Sequence, residues 1–327
     1  MEKFRTIFEI PESPTKIDYQ SNIISLGSCF SENIGEKLTY YKFAATINPF
    51  GILYNPESIA NSIEFLIKNR LFSESDLFEH HGVWNSFYHH SRFSGTDKKN
   101  VLDKINSSIK QGHAQLKKAD FLLITFGTAW VYDYKSTGKT VSNCHKIPAK
   151  EFNRRKLTVN SIVKKYKTIL KTLQKLNPKL NIVFTVSPVR HLKDGAVQNQ
   201  LSKATLIMAI NELIDEVGNT SYFPSYEIMT DDLRDYRFYN ADMVHPSPTA
   251  VDYIWDKFKK CCINPNTAST IKSIENIKKA VSHRPFQPQS DSHKKFLKAT
   301  LSAIEKLETK YPEMDFKTEK AVLKTIP

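Results

Sequence analysis

The stretch Ile23-Ile24-Ser25-Leu26-Gly27-Ser28-Cys29-Phe30-Ser31 predicts a strand that turns sharply into a helix. Its first four residues are apolar enough for a buried strand, and Gly27 permits a tight turn that a side chain would resist. Ser31 is predicted as the helix N-cap, because apolar residues at helical spacing follow it. Such a turn places Ser28 and Cys29 at the carboxyl edge of a sheet, beside the N–H groups of a helix N-terminus. Either residue is a candidate nucleophile, although the stretch alone also fits an ordinary α/β corner.

The rest of the chain alternates strands and helices in the same way. Further apolar runs predict strands at residues 121–126, 181–186 and 222–229. Helical patterns occur at about 31–41, 57–69, 98–118, 157–176, 199–217, 248–260 and 292–310. Strands buried on both faces favour a parallel sheet with right-handed crossovers. The sequence therefore predicts a doubly wound, flavodoxin-like three-layer α/β sandwich, with a mixed insertion at 71–97 and a loop at 131–155.

The composition changes near residue 263. Residues 263–291 are rich in Asn, Ser, Lys and Pro, and the last amphipathic helix follows them. That helix is too short to form a core of its own. We therefore predict a main domain over residues 1–262 and a C-terminal extension over 263–327, whose helix packs on the main domain.

The chain is basic, with 47 Lys and Arg against 34 Asp and Glu and a formal net charge of +13 over 327 residues. The lysines are spread over most predicted helices, which favours a solvated surface over a binding face for an anionic partner. No aromatic-basic RNA motif is present, so no nucleic-acid partner is predicted. The first residues lack the apolar core of a signal peptide, and no run is long enough to span a bilayer. These features predict a cytoplasmic protein.

The cysteines and histidines do not form a metal-binding pattern. The chain has four cysteines, none at zinc spacing, and an adjacent pair is a poor disulfide. The pairs His80-His81 and His89-His90 fall in a predicted loop without the spacing that fixes a site. We therefore predict a reducing compartment, no metal and no bound cofactor.

A second candidate constellation lies at Asn240-Ala241-Asp242-Met243-Val244-His245-Pro246-Ser247-Pro248. Ser247 and Pro248 fit an N-cap and the first residue of a helix. Asp242 and His245 therefore precede a helix, at the sheet edge where doubly wound folds place their sites. A carboxylate three residues before a histidine can bind its Nδ1–H and leave Nε2 free to accept a proton.

Taken together, these residues resemble the GSCFA family, which belongs with the SGNH (GDSL-like) hydrolases. The resemblance covers about residues 5–260. The matching stretches are Gly27-Ser28-Cys29-Phe30-Ser31, Asn48-Pro49-Phe50-Gly51, Trp84 to Ser94, Ile124 to Thr128, Asn143 to Lys146, Thr185 to Arg190 and Asp242 to Pro246.

The resemblance implies four catalytic blocks. An ungapped match makes Cys29 the nucleophile, whereas a shift of one residue favours Ser28. Gly51 matches the glycine of the oxyanion hole, and Asp242 and His245 match the Asp-x-x-His block.

One block departs from the superfamily pattern of Gly-x-Asn-Asp. Gly127 is present, but Ala129 stands where the oxyanion-hole asparagine is expected. The resemblance then leaves Thr128, Asn48 and His90 as candidate replacement donors.

The implied function is acyl hydrolysis or acyl transfer on an ester or thioester, through a covalent intermediate at this turn. A small molecule or a glycan is the expected substrate, with acyl-coenzyme A as one candidate donor. Arg190, just past a strand, is the candidate group for an anionic substituent. Two alternatives stay open: a serine esterase that uses Ser28, and a non-catalytic ligand-binding member of the fold.

Overall fold

The computed structural model describes residues 5–325. Ten strands are present in this part of the chain: β1 (Asn22–Gly27), β2 (Ala44–Ile47), β3 (Phe78–His80), β4 (Val83–Asn85), β5 (Phe121–Phe126), β6 (Trp130–Tyr134), β7 (Lys139–Val141), β8 (Phe152–Lys156), β9 (Asn181–Val186) and β10 (Thr220–Tyr222).

Ten α-helices are present in the same part: α1 (Cys29–Tyr40), α2 (Pro56–Lys68), α3 (Lys98–Lys118), α4 (Val159–Leu176), α5 (Gly195–Glu216), α6 (Ser225–Glu227), α7 (Pro248–Cys262), α8 (Ala268–Ser282), α9 (Asp291–Lys310) and α10 (Lys317–Thr325). A π-helix at Ile228–Leu233 continues α6. Short 3₁₀ turns lie at Glu74–Asp76, Ser91–Phe93, Ala149–Glu151, Leu192–Asp194, Tyr236–Phe238 and Pro265–Thr267.

The central sheet has five strands in the order β2-β1-β5-β9-β10, and every neighbouring pair is parallel. Helices α2 to α5 supply one apolar layer, in which Ile63, Ile105 and Leu170 are buried against the sheet. The opposite layer contains α1 and α7 together with the C-terminal helices. The flavodoxin-like three-layer prediction is therefore confirmed.

The sheet edge that carries the carboxyl ends of β1, β5 and β9 is where the site residues gather. Gly27 ends β1, and Gly127 and Ser187 directly follow β5 and β9. Loops that leave neighbouring parallel strands must pass one another at this edge, so residues far apart in sequence meet there.

Three predicted elements are wrong in detail. Helix α1 begins at Cys29 with Ser28 as its N-cap, because the hydroxyl of Ser31 instead lies 3.1 Å from Asn48 Oδ1. Residues 131–155, predicted as a loop, contain the antiparallel sheet β7-β6-β8. The strand predicted at 222–229 is also wrong: β10 ends at Tyr222 because Pro224 has no N–H to continue the pairing, and the following residues are helical.

The C-terminal extension contains more helix than the sequence predicted. Helix α8 was missed, although Ile271, Ile274 and Ile277 repeat at helical spacing and are buried. These side chains join the same apolar cluster as Ile34 and Leu38 of α1. The extension therefore packs on the α1 side of the sheet.

None of the helices within residues 5–325 combines the length and apolar character that crossing a bilayer requires.

Gly27→Ala tests the turn at the end of β1. Gly27 has a φ of +149°, and a Cβ there would lie 2.3 Å from the carbonyl oxygen of Thr125. Since that neighbour is backbone of a central strand, we expect the unfolding free energy in urea to fall by about 3 kcal/mol. Gly218→Ala is the control, because nothing lies within 4 Å of its added Cβ. Equal stability of the two variants would contradict the close contact.

Candidate functional site

Cys29 opens α1, directly after the turn at the end of β1, and its side chain is partly exposed. Burial raises the pKa of its thiol. Hydrogen bonds from the N–H groups of Phe30 and of Cys29 itself, and the charge of Lys203, act in the opposite direction. A helix N-terminus stabilises a thiolate in the same way. Burial is the largest of these effects, so a nucleophilic role of Cys29 requires a base that removes the thiol proton.

Two clefts meet at Cys29. One has a volume of about 520 Å³ and is lined by Cys29, Tyr54, His90, Arg190 and His245, among others. The second has a volume of about 510 Å³ and is lined by residues of α1 and of the loop before α7. Cys29 and His245 belong to both linings. The thiol and the imidazole therefore share one accessible space.

Asp242 and His245 form the pair that the sequence predicts. Asp242 Oδ2 lies 2.7 Å from His245 Nδ1, and the N–H groups of Val244 and His245 donate to Oδ1 at 2.9 and 3.0 Å. These backbone bonds, with the imidazole bond, lower the pKa of Asp242 to about 2. An ionised carboxylate holds the proton on Nδ1, which leaves Nε2 as a proton acceptor.

Two contacts fix the loop that carries this pair. Ser247 caps α7 by accepting the N–H of Ala250, and Pro248 follows at the first helical position. The N–H of Arg190 donates to the carbonyl of Val244 at 3.2 Å. Since Arg190 follows β9, the histidine loop is attached to the sheet edge.

Ser28 is not placed as a nucleophile. Its side chain is 0% exposed, and its Oγ is buried without a partner among the described residues. It packs against Gly127, whose added Cβ would lie 3.3 Å from Ser28 Cβ. Of the two candidates in the turn, only Cys29 lines the clefts described above.

Asn48 and Gly51, both predicted for the oxyanion hole, have hydrogen-bond partners inside the protein. Asn48 is 0% exposed, and its Oδ1 accepts the N–H of Gly27 at 2.9 Å, so it supports the turn from behind. The N–H of Gly51 already donates to the carbonyl of Asn48 at 2.7 Å. Asn48 Nδ2 lies 3.4 Å from Glu32 Oε1, and neither Asn48 nor Gly51 lines either of the two clefts.

The N–H groups of the loop after β5 also form hydrogen bonds within the protein. The N–H groups of Gly127 and Thr128 both donate to the carbonyl of Tyr54, at 2.8 and 2.9 Å. Ala129, at the position of the missing asparagine, is fully buried and donates its N–H to Ser202 Oγ at 2.8 Å. Thr128 lines the larger cleft, but its Oγ1 lies 3.1 Å from the same Ser202 hydroxyl.

His90 and Arg190 do face the larger cleft. His90 Nδ1 accepts the N–H of Arg92 at 3.3 Å, and burial, with the charge of Arg92, lowers the pKa of the imidazole. Arg190 lines both this cleft and a smaller one beside Tyr239. These two residues are therefore placed where the sequence predicted them, at the cleft wall.

Sequence reasoning missed two basic residues beneath the site. His191 lines the larger cleft, its Nε2 is buried without a partner in residues 5–325, and burial lowers its pKa to about 4. Lys203 is 1% exposed and lies on the face of α5 that buries Leu206 and Ile210. Its position at helical spacing among apolar residues is a signal that the sequence contained.

The small antiparallel sheet forms one wall of the larger cleft. Arg154 lies 4.2 Å above the ring of Trp130 and makes a two-point ion pair with Asp194. Lys193 donates to the hydroxyl of Tyr132 at 3.1 Å. The wall thus combines flat aromatic surface with positive charge.

Within residues 5–325 no group of three or more His, Cys, Asp or Glu side chains is placed to hold a metal ion.

The fold and this site define a doubly wound α/β protein with a cysteine at the sheet edge and a carboxylate-bound histidine across the same cleft. The chain belongs to the GSCFA family: the family's sequence model matches residues 22–258, and that of the GSCFA C-terminal domain matches residues 274–325.

No curated protein matches this sequence. A family 3 carbohydrate esterase of Clostridium thermocellum aligns over 78% of this chain and 98% of its own, at 10% identity and a TM-score of 0.35. A family 3 carbohydrate esterase of Talaromyces cellulolyticus aligns over 77% and 98%, at 9% identity and a TM-score of 0.36. The acetyl xylan esterase Est2A of Butyrivibrio proteoclasticus aligns over 75% and 65%, at 10% identity and a TM-score of 0.38.

Proposed function

We propose that this protein hydrolyses or transfers acyl groups of esters or thioesters, with Cys29 as the nucleophile. The observation that carries the proposal is the shared cleft of Cys29 and the Asp242-bound His245. A nucleophile, a base of fixed tautomer and an orienting carboxylate are the parts that covalent acyl transfer needs.

The reaction has two steps. His245 Nε2 takes the thiol proton, the Cys29 sulfur attacks the acyl carbon, and a carbon–sulfur bond forms. The bond from the acyl carbon to the leaving oxygen or sulfur breaks, and the leaving group receives the proton from the imidazolium. Water or an acceptor hydroxyl or amine then gives a proton to His245 and attacks the thioester, which releases Cys29 as a thiol.

The oxyanion of each step needs N–H donors other than Gly51. The N–H of Cys29, in the first turn of α1, is one donor of suitable position. Asn55 lines the cleft, and its Oδ1 is held by the N–H of Ser58 at 2.8 Å, so its NH₂ group remains as a donor. His90 is the further candidate in the same wall.

The cleft wall supports a small-molecule or glycan substrate. Trp130 and Tyr132 offer flat faces of the kind that pack on sugar rings or on other planar groups, while Arg190 and Lys193 add positive charge. An anionic donor such as an acyl-coenzyme A, or an anionic glycan acceptor, fits this combination. The two steps above require no metal and no cofactor.

Intact-protein mass measurement after incubation with a panel of activated acyl esters and acyl-thioesters tests the proposal. We expect wild type and Ser28→Ala to gain one acyl mass, and Cys29→Ala to gain none. The adduct on wild type should decline when water or an acceptor amine completes the second step.

Two results would replace the proposal. Loss of the adduct in Ser28→Ala, with retention in Cys29→Ala, would identify a serine esterase. No adduct with any donor, together with a ligand that still raises the melting temperature of Cys29→Ala, would identify a non-catalytic binding protein.

A further inference from the structure

We propose that Lys203 is a positioning residue of the Cys29 site: its buried ammonium holds the ends of β5 and β9 in place and stabilises the Cys29 thiolate. This inference rests on the proposed function, in which the thiolate attacks. It concerns a residue that none of the motifs described above contains.

The geometry of the ammonium ties two strand ends together. Lys203 Nζ donates to the carbonyl of Gly127 at 2.8 Å and to the carbonyl of Ser187 at 2.7 Å. Gly127 follows β5 and Ser187 follows β9, so one side chain spans the two strand ends beneath the cleft. An ammonium has three N–H donors, and these two bonds leave one donor over.

Two neighbours of Lys203 on α5 also bind the backbone of these loops, as hydrogen-bond acceptors. The N–H of His191 donates to Asn199 Oδ1 at 2.9 Å, and the N–H of Ala129 donates to Ser202 Oγ at 2.8 Å. Asn199 and Ser202 are each 2% exposed. The first turns of α5 therefore present a buried polar face that organises the loops after β5 and β9.

The charge of Lys203 has no carboxylate partner within ion-pair distance in residues 5–325. The groups that face it are Cys29 on α1, His191 after β9, and Glu227 and Tyr226 on α6. Glu227 accepts a hydrogen bond from Tyr222 at 2.9 Å, and burial raises its pKa. A buried cation without an ion-pair partner costs stability, and the thiol of Cys29 is, with Glu227, one of the groups acting on Lys203 that can become an anion.

Coupling between the lysine and the thiol works in both directions. Burial raises the pKa of the Cys29 thiol, and the positive charge of Lys203 opposes that rise. Burial lowers the pKa of Lys203 to about 7, and the charge of the thiolate opposes that fall, so each charged form favours the other. A lysine that only braced the strand ends would have no such effect on the thiol.

The test is the rate of alkylation of Cys29 by iodoacetamide between pH 6 and 9, read from the mass of the Cys29 peptide. Since the thiolate is the reacting form, the rate follows its population. Lys203→Met removes the charge, and Lys203→Gln removes it while keeping an N–H donor for one carbonyl. We expect roughly three- to tenfold slower alkylation at pH 6 to 7 in each, and a difference that shrinks above pH 8, where Lys203, with a pKa of about 7, has lost its charge.

Lys171→Met is the matched control, because it removes the same charge from the exposed face of α4. In this variant Cys29 should be alkylated at the wild-type rate. Lys203→Arg keeps a permanent charge, so its Cys29 should be alkylated at least as fast as in wild type.

Wild-type rates in folded Lys203→Met and Lys203→Gln would overturn the proposal and leave a purely structural lysine. If neither neutral variant gives a cooperative melt, Lys203→Arg decides, and alkylation slowed to the same extent in that variant would overturn it. The assay uses no acyl donor. Failure of the acyl-transfer proposal would therefore appear in the mass measurement alone, and failure of the lysine proposal in the alkylation profile alone.

Discussion

His245→Ala should slow acylation of Cys29 by about 10²- to 10⁴-fold, the range expected when a positioned general base is lost. In the proposed reaction the imidazole of His245 takes the thiol proton and later returns it to the leaving group. Its tautomer is set by the 2.7 Å contact with Asp242. Rapid-quench mass measurement of the acyl adduct gives the rate directly.

Asp242→Asn tests the carboxylate separately. The amide nitrogen of asparagine can turn toward Nδ1 and favour the wrong tautomer, so we expect a loss of similar order rather than a small one. Because the two residues act as one unit, the double variant should be little slower than His245→Ala.

The control for both variants is chemical rescue. Free imidazole should restore part of the acylation rate in His245→Ala and none in Cys29→Ala. Full activity of His245→Ala without imidazole would exclude the histidine as the base.

Acid should destabilise the protein through His89, a buried histidine that lines neither of the clefts at Cys29. His89 is 0% exposed, stacks on Phe50 at 4.7 Å and lies 2.9 Å from Ser86 Oγ through Nδ1. Burial, followed by the nearby His145, lowers its pKa to about 3. The imidazole is therefore neutral in the folded protein at pH values where it is charged in the unfolded chain.

The sign of the effect follows from proton binding. Between the unfolded pKa near 6.5 and the folded value of about 3, the unfolded state binds the extra proton, so stability falls as the pH falls. The stabilisation is complete above pH 6.5 and is lost at about 1.4 kcal/mol per pH unit below it, on the order of 5 kcal/mol in all.

Urea unfolding of wild type and His89→Gln from pH 7 to pH 4 measures how the unfolding free energy changes with pH. The glutamine can keep the bond to Ser86 but cannot titrate, so its stability should fall less steeply with acid. His81→Gln makes the same exchange at an exposed position and should follow wild type. Parallel curves for His89→Gln and wild type would show that His89 does not contribute.

Local patterns in the sequence were sufficient for the main fold. Continuous apolar strands such as Phe121–Phe126 and strongly periodic helices such as Lys98–Lys118 were predicted at their observed positions, because each is determined by its own residues. The sheet β6-β7-β8 was missed for the opposite reason. Its strands are only three to five residues long, and β7 and β8 are mostly polar. Their pairing is visible only when Asp133 and Arg155 are brought together across the strands.

The site residues show the same difference between local patterns and contacts made by distant segments. Cys29, Asp242 and His245 could be predicted as site residues because each stands in a local turn beside a helix start. Which amides are free could not be predicted, since the N–H of Gly51 is used by a carbonyl only three residues away and that of Gly127 by Tyr54. Such hydrogen bonds depend on how loops from different strands meet.

The contacts of the C-terminal extension with α1 bear on how Cys29 is held. Tyr41, which caps α1, donates to Glu275 at 3.1 Å, and Lys42 pairs with the buried Glu319 at 2.8 Å. At 1.5 Å per residue, the 12 residues of α1 form a rod roughly 18 Å long, with Cys29 at the far end. The extension thus holds the C-terminal end of α1, and the thiol lies at the N-terminal end. A small tilt of the helix at the held end therefore displaces the sulfur. The position of the Cys29 sulfur therefore depends partly on residues more than 240 positions away from it in the chain.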